Sequence, residues 1–231
     1  MDGTLVDSEK LWDISLNALA RHLGGELSAE ARVAMVGGSR WRTMEMLFDD
    51  LGLPRDAATM TDAGEWLTEY TGKLFTGGLP WRPGALDALR MVRSTGVATA
   101  LVTSTERRLT ERALDSIGRE HFDITLCGDE VTATKPDPDP YLRAAQRLGV
   151  EPGDCLAVED SPTGATSAEA AGCAVLVVPC EVPVPSGPRR VQRDTLTGLT
   201  ESDMRGYWAQ IRHPDHWSSQ KAHSSPTVAD Q

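Results

Sequence analysis

Apolar positions in roughly the first third of the chain recur at helical spacing, with almost no strand pattern. The first predicted helix is carried by an apolar series that ends before Gly24-Gly25: Leu11, Ile14, Leu16, Leu19 and Leu23. Three further helices are predicted at 28–36, 42–51 and 58–74. We therefore expect an all-helical segment, followed by a linker rich in glycine and proline at 77–84.

The pattern changes after Pro83. Short, continuous, largely apolar runs now alternate with helical patterns, and the runs lie at 97–102, 122–127, 155–158 and 174–178. Such runs are typical of parallel strands that are buried on both faces. Their alternation with helices of about ten residues or more predicts βαβ units. The fold class is therefore predicted to be α/β, with a doubly wound parallel sheet.

The last segment, residues 181–231, follows a different pattern. It begins with an irregular proline-rich stretch, and one short strand and one helix are expected within 195–208. The polar C-terminal end is predicted to be disordered. Three histidines that could suggest zinc lie in this polar tail without cysteine partners, and we expect them to be solvated: His213, His216 and His223.

Composition and charge exclude several classes of partner. The formal net charge is −11, which argues against a general nucleic-acid or anionic-membrane binder, since both need a cationic surface. No apolar run approaches the roughly 18–20 residues of a membrane span, and the N-terminal segment lacks signal-peptide character. The four cysteines form no CxxC pair and indicate buried thiols in a reducing cytoplasm. We expect a cytoplasmic protein.

Four short polar motifs stand where strands are predicted to end, at the edge where open α/β sheets bind ligands. They lie at 2–7, 102–104, 135–136 and 159–164. Chemically the set contains three carboxylates, a hydroxyl and an amine. Carboxylates suit Mg²⁺ with retained waters and a substrate phosphate. A hydroxyl and an ammonium group can hold phosphate oxygens during phosphoryl transfer.

The four motifs, in this order, resemble those of the haloacid dehalogenase superfamily of hydrolases. The branch is that of phosphoglycolate phosphatase and β-phosphoglucomutase. The resemblance implies a Rossmann-like core at 1–8 and 80–180, a helical cap at 9–79 and a C-terminal extension at 181–231. It further implies a monomer that hydrolyses a small phosphorylated metabolite with Mg²⁺ through a phosphoaspartate.

The resemblance also implies roles for individual residues. Asp2 matches the general acid/base, which protonates the leaving oxygen and then activates water, and its backbone carbonyl is expected on Mg²⁺. Thr103 and Ser104 match the residues that hold the phosphate. Lys135 matches the lysine that steadies nucleophile and phosphate. Without the resemblance, Thr103 could simply cap a helix and Lys135 could be a plain loop lysine.

Two further assignments concern the metal and the substrate. Asp160 matches the metal-binding aspartate, with Glu159 as a direct or water-mediated ligand, although such a pair alone would usually be a solvated turn. Arg40 follows a break in the helical segment at the place of a substrate-reading loop. It is expected to contact a second anionic group of the substrate, or else to face solvent beside Arg42.

The family pattern D-x-D-G-T places the nucleophilic aspartate two residues before Asp2, which is directly before Met1. We expect the natural protein to begin upstream, with an apolar strand that ends in Phe-Asp, and the chain as given to be inactive. If Met1 is the true start, a non-catalytic binding module becomes the alternative.

A second alternative is a sugar phosphomutase. β-Phosphoglucomutases carry a histidine ten residues beyond the general acid, and Trp12 stands there in this chain, which weakens that alternative. Dehalogenases have an aromatic residue where Asp2 stands and use no metal. Asp7 is expected to hold the loop after the first motif rather than to take part in chemistry.

Overall fold

The computed structural model describes residues 1–212 of the chain. Four helices come first, and together they form what we call the helical block: α1 (Glu9–His22), α2 (Ala29–Ala34), α3 (Arg40–Asp50) and α4 (Ala57–Phe75). Three of them begin at a side-chain cap. Ser28, Ser39 and Asp56 accept the backbone N–H three residues further on, at 3.1, 3.4 and 2.8 Å.

The helical block has its own hydrophobic cluster. Its largest fully buried side chains come from α1, α3 and α4: Leu19, Met44, Leu47, Phe48 and Met60. The four helices predicted for this segment are confirmed at nearly the predicted positions. Their apolar side chains pack together in this one cluster. The division into cap and core at 9–79 stays a prediction about domain boundaries.

Helices and strands alternate after the helical block. The elements are α5 (Ala85–Ser94), β1 (Ala100–Val102), α6 (Arg107–Ile117), β2 (Ile124–Leu126), α7 (Asp139–Leu148), β3 (Leu156–Glu159), α8 (Pro162–Ala170), β4 (Ala174–Val177), β5 (Arg190–Gln192) and α9 (Glu201–Arg212). This order confirms the predicted α/β class.

All the paired strands are parallel. β1 pairs with β2, with Leu101 opposite Thr125, and β3 pairs with β4, with Ala157 opposite Val175. β5 extends the second sheet beyond β4. β4 is buried along its whole length, which explains its uninterrupted apolar sequence. The described strands thus form two parallel sheets, of two and three strands, rather than one.

A gap separates the two sheets. β1 pairs on one edge with β2 and β3 pairs on one edge with β4, and the facing edges of β1 and β3 line a cavity of about 540 Å³. Helices α5 and α7 close this cavity with apolar side chains that include Leu89 and Ala144. We call it the inter-sheet cavity. The edges of β1 and β3 that face this cavity carry backbone N–H and C=O groups, with which a further parallel strand could pair.

Some elements begin later or lie elsewhere than predicted. The run at 97–102 gives a strand only from Ala100, because the Asp123 carboxylate accepts the Thr99 N–H at 2.7 Å and ends the strand pairing there. The strand expected within 195–208 instead lies at Arg190–Gln192. Its mixed sequence carries no apolar run, since it is an outer strand that pairs with one neighbouring strand, β4.

The described part of the C-terminal segment belongs to the folded core, because α9 packs on β4 and β5. The predicted disordered tail and the three histidines expected to be solvated lie outside the described residues. Among the helices at 1–212, none combines the length and apolar character that a membrane crossing requires.

Candidate active site

The four motifs come together at the carboxyl ends of the parallel strands. Thr103 directly follows β1, Lys135 lies in the loop after β2, and Asp160 directly follows β3. With Asp2 they line a cavity of about 110 Å³ between the core and the helical block, which we call the motif cavity. The structure therefore brings together residues that are up to 158 positions apart in the sequence.

Three donors hold the Asp2 carboxylate. Ser8 Oγ and Trp12 Nε1 donate to Oδ1 at 2.5 and 3.0 Å, and Thr105 Oγ1 donates to Oδ2 at 2.8 Å. An indole N–H can only donate, so Oδ1 is the acceptor of the Trp12 bond. The partner of Oδ2 is the Thr105 hydroxyl, which as a group can either donate or accept.

Lys135 is buried against a carboxylate and a phenol. Its Nζ lies 2.6 Å from Glu159 Oε1 and also donates to the Val102 carbonyl at 3.1 Å, while Tyr141 donates to the same Glu159 oxygen. Burial alone would raise the pKa of Glu159, but Lys135 and Tyr141 outweigh it and lower that pKa. Burial and the Glu159 charge raise the pKa of Tyr141, so the phenol remains a donor.

Asp160 lies beside the first motif. Thr4 Oγ1 donates to its Oδ1 at 2.6 Å, and a Cβ on Gly3 would stand 2.2 Å from its Oδ2, so only glycine permits this approach. Gly3 also has a φ of +67°, which glycine adopts without strain. Burial and the neighbouring Glu159 charge raise the pKa of Asp160 to about 7. A cation beside Asp160 would act in the opposite direction, because it favours the charged form of the carboxyl group.

The carboxylates fit Mg²⁺ only in part. In the described range, 1–212, no three His, Cys, Asp or Glu side chains are grouped as a metal site. Mg²⁺ needs only one or two carboxylates, however, because it keeps waters and binds substrate phosphate. Asp160 and the Asp2 carbonyl supply such donors. Glu159 is instead engaged by Lys135, so its predicted role as a ligand stays a prediction.

The hydroxyls of the second motif are placed differently. Thr103 Oγ1 accepts the Thr105 N–H at 3.1 Å, which leaves its own O–H available as a donor. Ser104 Oγ donates to the Gly37 carbonyl at 3.2 Å, across the boundary with the helical block. Thr103 is therefore ready to hold a phosphate oxygen, whereas Ser104 must first leave Gly37.

Arg40 lines the motif cavity from the helical block, as the break before α3 suggested. Its guanidinium is already paired, with Glu65 Oε1 at 2.7 Å and with Glu106 Oε1 at 2.7 Å. Its contact with a second anionic group of the substrate stays a prediction.

Sequence reasoning missed Thr105 and Tyr141, and it did not foresee the bonds of Trp12 and Ser8 to Asp2. Thr105 lies one residue beyond the second motif and bonds a carboxylate 103 positions away. Tyr141 lies inside α7, where its ring fits the apolar positions of the helix. The sequence pattern therefore gave no sign that its hydroxyl makes a hydrogen bond. Ser8 directly precedes α1 and Trp12 lies in its first turn, six and ten residues after Asp2. This short spacing could have indicated that both side chains lie near Asp2.

Replacing Lys135 by methionine is expected to destabilise the fold. Both Lys135 and Glu159 are over nine-tenths buried, so the variant leaves Glu159 charged and unpaired. The expected loss is about 3–5 kcal/mol in the free energy of unfolding, measured by urea denaturation. Lys10→Met is the matched control, since Lys10 is exposed and lies 3.9 Å from Asp7. A loss for Lys135→Met no larger than the control's would contradict this reading of the pair.

Known proteins resemble this chain over most of its length. Hexitol phosphatase B of Escherichia coli strain K12 is 29% identical over 213 residues, covering 89% of this chain and 94% of the relative. The phosphorylated carbohydrates phosphatase of Thermotoga maritima is 30% identical over 176 residues, covering 74% and 79%. The crystal structure of β-phosphoglucomutase from Clostridium difficile superposes with a TM-score of 0.81, covering 90% and 94%, at 18% identity.

The structural likeness to the mutase concerns the fold, since its sequence identity is low. A family model described as haloacid dehalogenase-like hydrolase matches residues 1–172. That range contains all four motifs and the helical block. The chain belongs to the haloacid dehalogenase-like hydrolase family.

Proposed function

We propose that this protein hydrolyses the phosphate monoester of a small metabolite, with Mg²⁺ and through a phosphoaspartate. The observation that carries the proposal is the convergence of Asp2, Thr103, Lys135 and Asp160 on one small cavity. Two relatives of the chain, a hexitol phosphatase and a phosphatase of phosphorylated carbohydrates, support phosphate-ester hydrolysis.

Asp2 acts as the acid and then as the base. Its Oδ2, beside the Thr105 hydroxyl, protonates the leaving oxygen of the substrate and afterwards takes a proton from the water that attacks the acyl phosphate. The acceptor is a carboxylate that stands directly before Met1 in the family pattern. Trp12 and Ser8 keep Asp2 oriented through both steps.

The charge of the transferred phosphoryl group is met by the remaining residues. Thr103 donates its hydroxyl to a phosphate oxygen, and the Lys135 ammonium lies behind the motif, close to Val102 and Glu159. Asp160 and the Asp2 carbonyl would hold Mg²⁺, which neutralises phosphate charge when bound. The helical block lines one side of the cavity, and its closure over a bound substrate would exclude bulk water.

Removal of divalent cations is expected to abolish phosphate release. The test uses the protein extended upstream with the proposed acceptor aspartate, and a panel of sugar, polyol and glycolate phosphate monoesters. Phosphate release is measured with Mg²⁺, with EDTA, and with EDTA followed by excess Mg²⁺. Activity lost and then restored is the expected result, because the proposed mechanism uses Mg²⁺, held by Asp160 and the Asp2 carbonyl, to neutralise the phosphate charge. Activity unchanged by EDTA would refute the metal-dependent mechanism.

A further inference from the structure

Two arginines of the helical block line the motif cavity opposite the phosphate motifs, Arg32 on α2 and Arg40 on α3. Guanidinium groups in such a wall are the natural partners of a second phosphate or a carboxylate on the substrate. Whether they serve in that way depends on what already binds them.

Arg32 is committed to Glu9. Its Nη2 lies 3.0 Å from Glu9 Oε2 and 3.3 Å from the Glu9 carbonyl oxygen. Both side chains are largely buried, at 16% and 8% exposure. The buried Nε makes no hydrogen bond, although Asp13 Oδ1 is 3.3 Å away. Arg32 therefore keeps one N–H without an acceptor while its charge is compensated.

Arg40 is compensated twice and held in place. Glu65 on α4 and Glu106 at the start of α6 each lie 2.7 Å from a different guanidinium nitrogen. The side-chain stem crosses α4 at Gly64, where a Cβ would come within 3.1 Å of Arg40 Cδ. Its charge is already matched by two carboxylates, so an anion bound to the remaining N–H groups would stand close to both of them.

The charges around the whole cavity also argue against binding of a second anionic group. Its lining contains three cationic side chains and five carboxylates: Arg32, Arg40, Lys135, Asp2, Glu9, Glu106, Glu159 and Asp160. Across residues 1–212, each cation of this lining has a carboxylate within 3.0 Å. A second anion would therefore meet arginines whose charge is already compensated, and it would gain little for the hydration that it loses on entry.

We propose that the motif cavity selects phosphate monoesters whose other end is neutral and hydroxylated, and that it rejects substrates with a second phosphate or a carboxylate. A hydroxyl can donate to Glu9 and accept from Arg32, so the pair fits a polyol or sugar end. This inference rests on the proposed function and names the substrate class of the same site. It opposes the expectation that Arg40 contacts an anionic group.

Matched ligand pairs test the inference on the chain as it is given. Glycerol 1-phosphate and 3-phosphoglycerate differ at one end, where the first has a CH₂OH group and the second a carboxylate. Sorbitol 6-phosphate and 6-phosphogluconate differ in the same way. Dissociation constants are measured by calorimetry in buffer containing Mg²⁺. In each pair the neutral-ended ligand is expected to bind about tenfold tighter or more.

Glu9→Gln tests the origin of the preference. It keeps a hydrogen-bonding side chain but removes the buried charge partner of Arg32 and leaves only the more exposed Asp13 beside it, so the preference in each pair is expected to fall by about tenfold. Glu30→Gln is the matched control, because Glu30 is exposed on α2, the helix that carries Arg32, and its replacement changes the net charge equally. In this variant the ratio of dissociation constants within each ligand pair is expected to equal that of the parent chain.

The outcomes separate this inference from the proposed function. Equal binding within the pairs, tighter binding of the anionic members, or no binding of any of the four ligands overturns the charge selection. The ligand pairs decide this even if Glu9→Gln does not fold. The proposed function is decided independently, by phosphate release from monoesters in the upstream-extended protein.

Discussion

Extending the chain upstream of Met1 by an apolar strand that ends in Phe-Asp is expected to create phosphatase activity that the chain beginning at Met1 lacks. The added aspartate would stand two residues before Asp2, which lines the motif cavity together with Asp160 and Thr103. Loss of an enzyme's nucleophile costs a factor on the order of 10⁴ or more. Phosphate release from a panel of monoesters should therefore rise by at least about that factor.

The same extension is expected to stabilise the fold. Its backbone would pair with the facing edges of β1 and β3, and its apolar side chains would enter the inter-sheet cavity of about 540 Å³. Paired backbone groups and buried apolar surface both favour the folded state. The temperature of half-unfolding should rise accordingly.

An extension that ends in Phe-Asn separates the two effects. It fills the inter-sheet cavity as well as the Phe-Asp version but brings no carboxylate, so we expect equal stabilisation without turnover. Two results would contradict the mechanism. One is turnover by the Phe-Asn version, and the other is turnover by the chain that starts at Met1.

Asp2→Asn in the extended protein is expected to lower kcat by about 10²–10⁴-fold, the usual contribution of general acid–base catalysis. An amide still accepts hydrogen bonds at its oxygen, so Trp12 and Ser8 can hold the side chain. The proton that Oδ2 would pass beside Thr105 is lost. KM should change much less than kcat, because Asp2 acts on the reacting oxygens.

The leaving group supplies a second readout. With 4-nitrophenyl phosphate the departing oxygen needs no proton, so Asp2→Asn should slow formation of the phosphoenzyme less than with an alkyl phosphate. Asp7→Asn is the matched control, since Asp7 is a partly exposed acid of the same motif with only a 3.9 Å contact to Lys10. An equal loss of kcat in both variants would show that the effect is not acid–base catalysis.

The local pattern of the sequence predicts most helices of this fold and the order of its strands. The helix that Gly24-Gly25 was expected to end does end at His22. Such signals work because a helix stripe and a terminating glycine are encoded within one short segment. The motif order likewise indicated that Asp2, Lys135 and Asp160 would meet.

Long-range side-chain contacts could not be predicted in the same way. The hydrogen bond of Tyr141 to Glu159 joins the interior of a helix to the end of a strand. The hydrogen bond of Thr105 to Asp2 joins residues that are 103 positions apart in the sequence. Neither residue type nor local spacing encodes these partners, since they arise only when strands and helices take their places. The gap between β1 and β3 is also a tertiary feature.

The contact between Ser104 and Gly37 has a consequence for affinity. The hydroxyl that would hold a phosphate oxygen already donates to a carbonyl of the helical block. Substrate binding at this position is thus an exchange of one acceptor for another, and a neutral hydrogen bond contributes only about 0.5–1.5 kcal/mol net. Ser104 would add little to the tightness of binding. Its contribution would instead be to couple the two parts of the molecule, because a phosphate that took the Ser104 hydroxyl would remove one hydrogen bond between the core and the helical block.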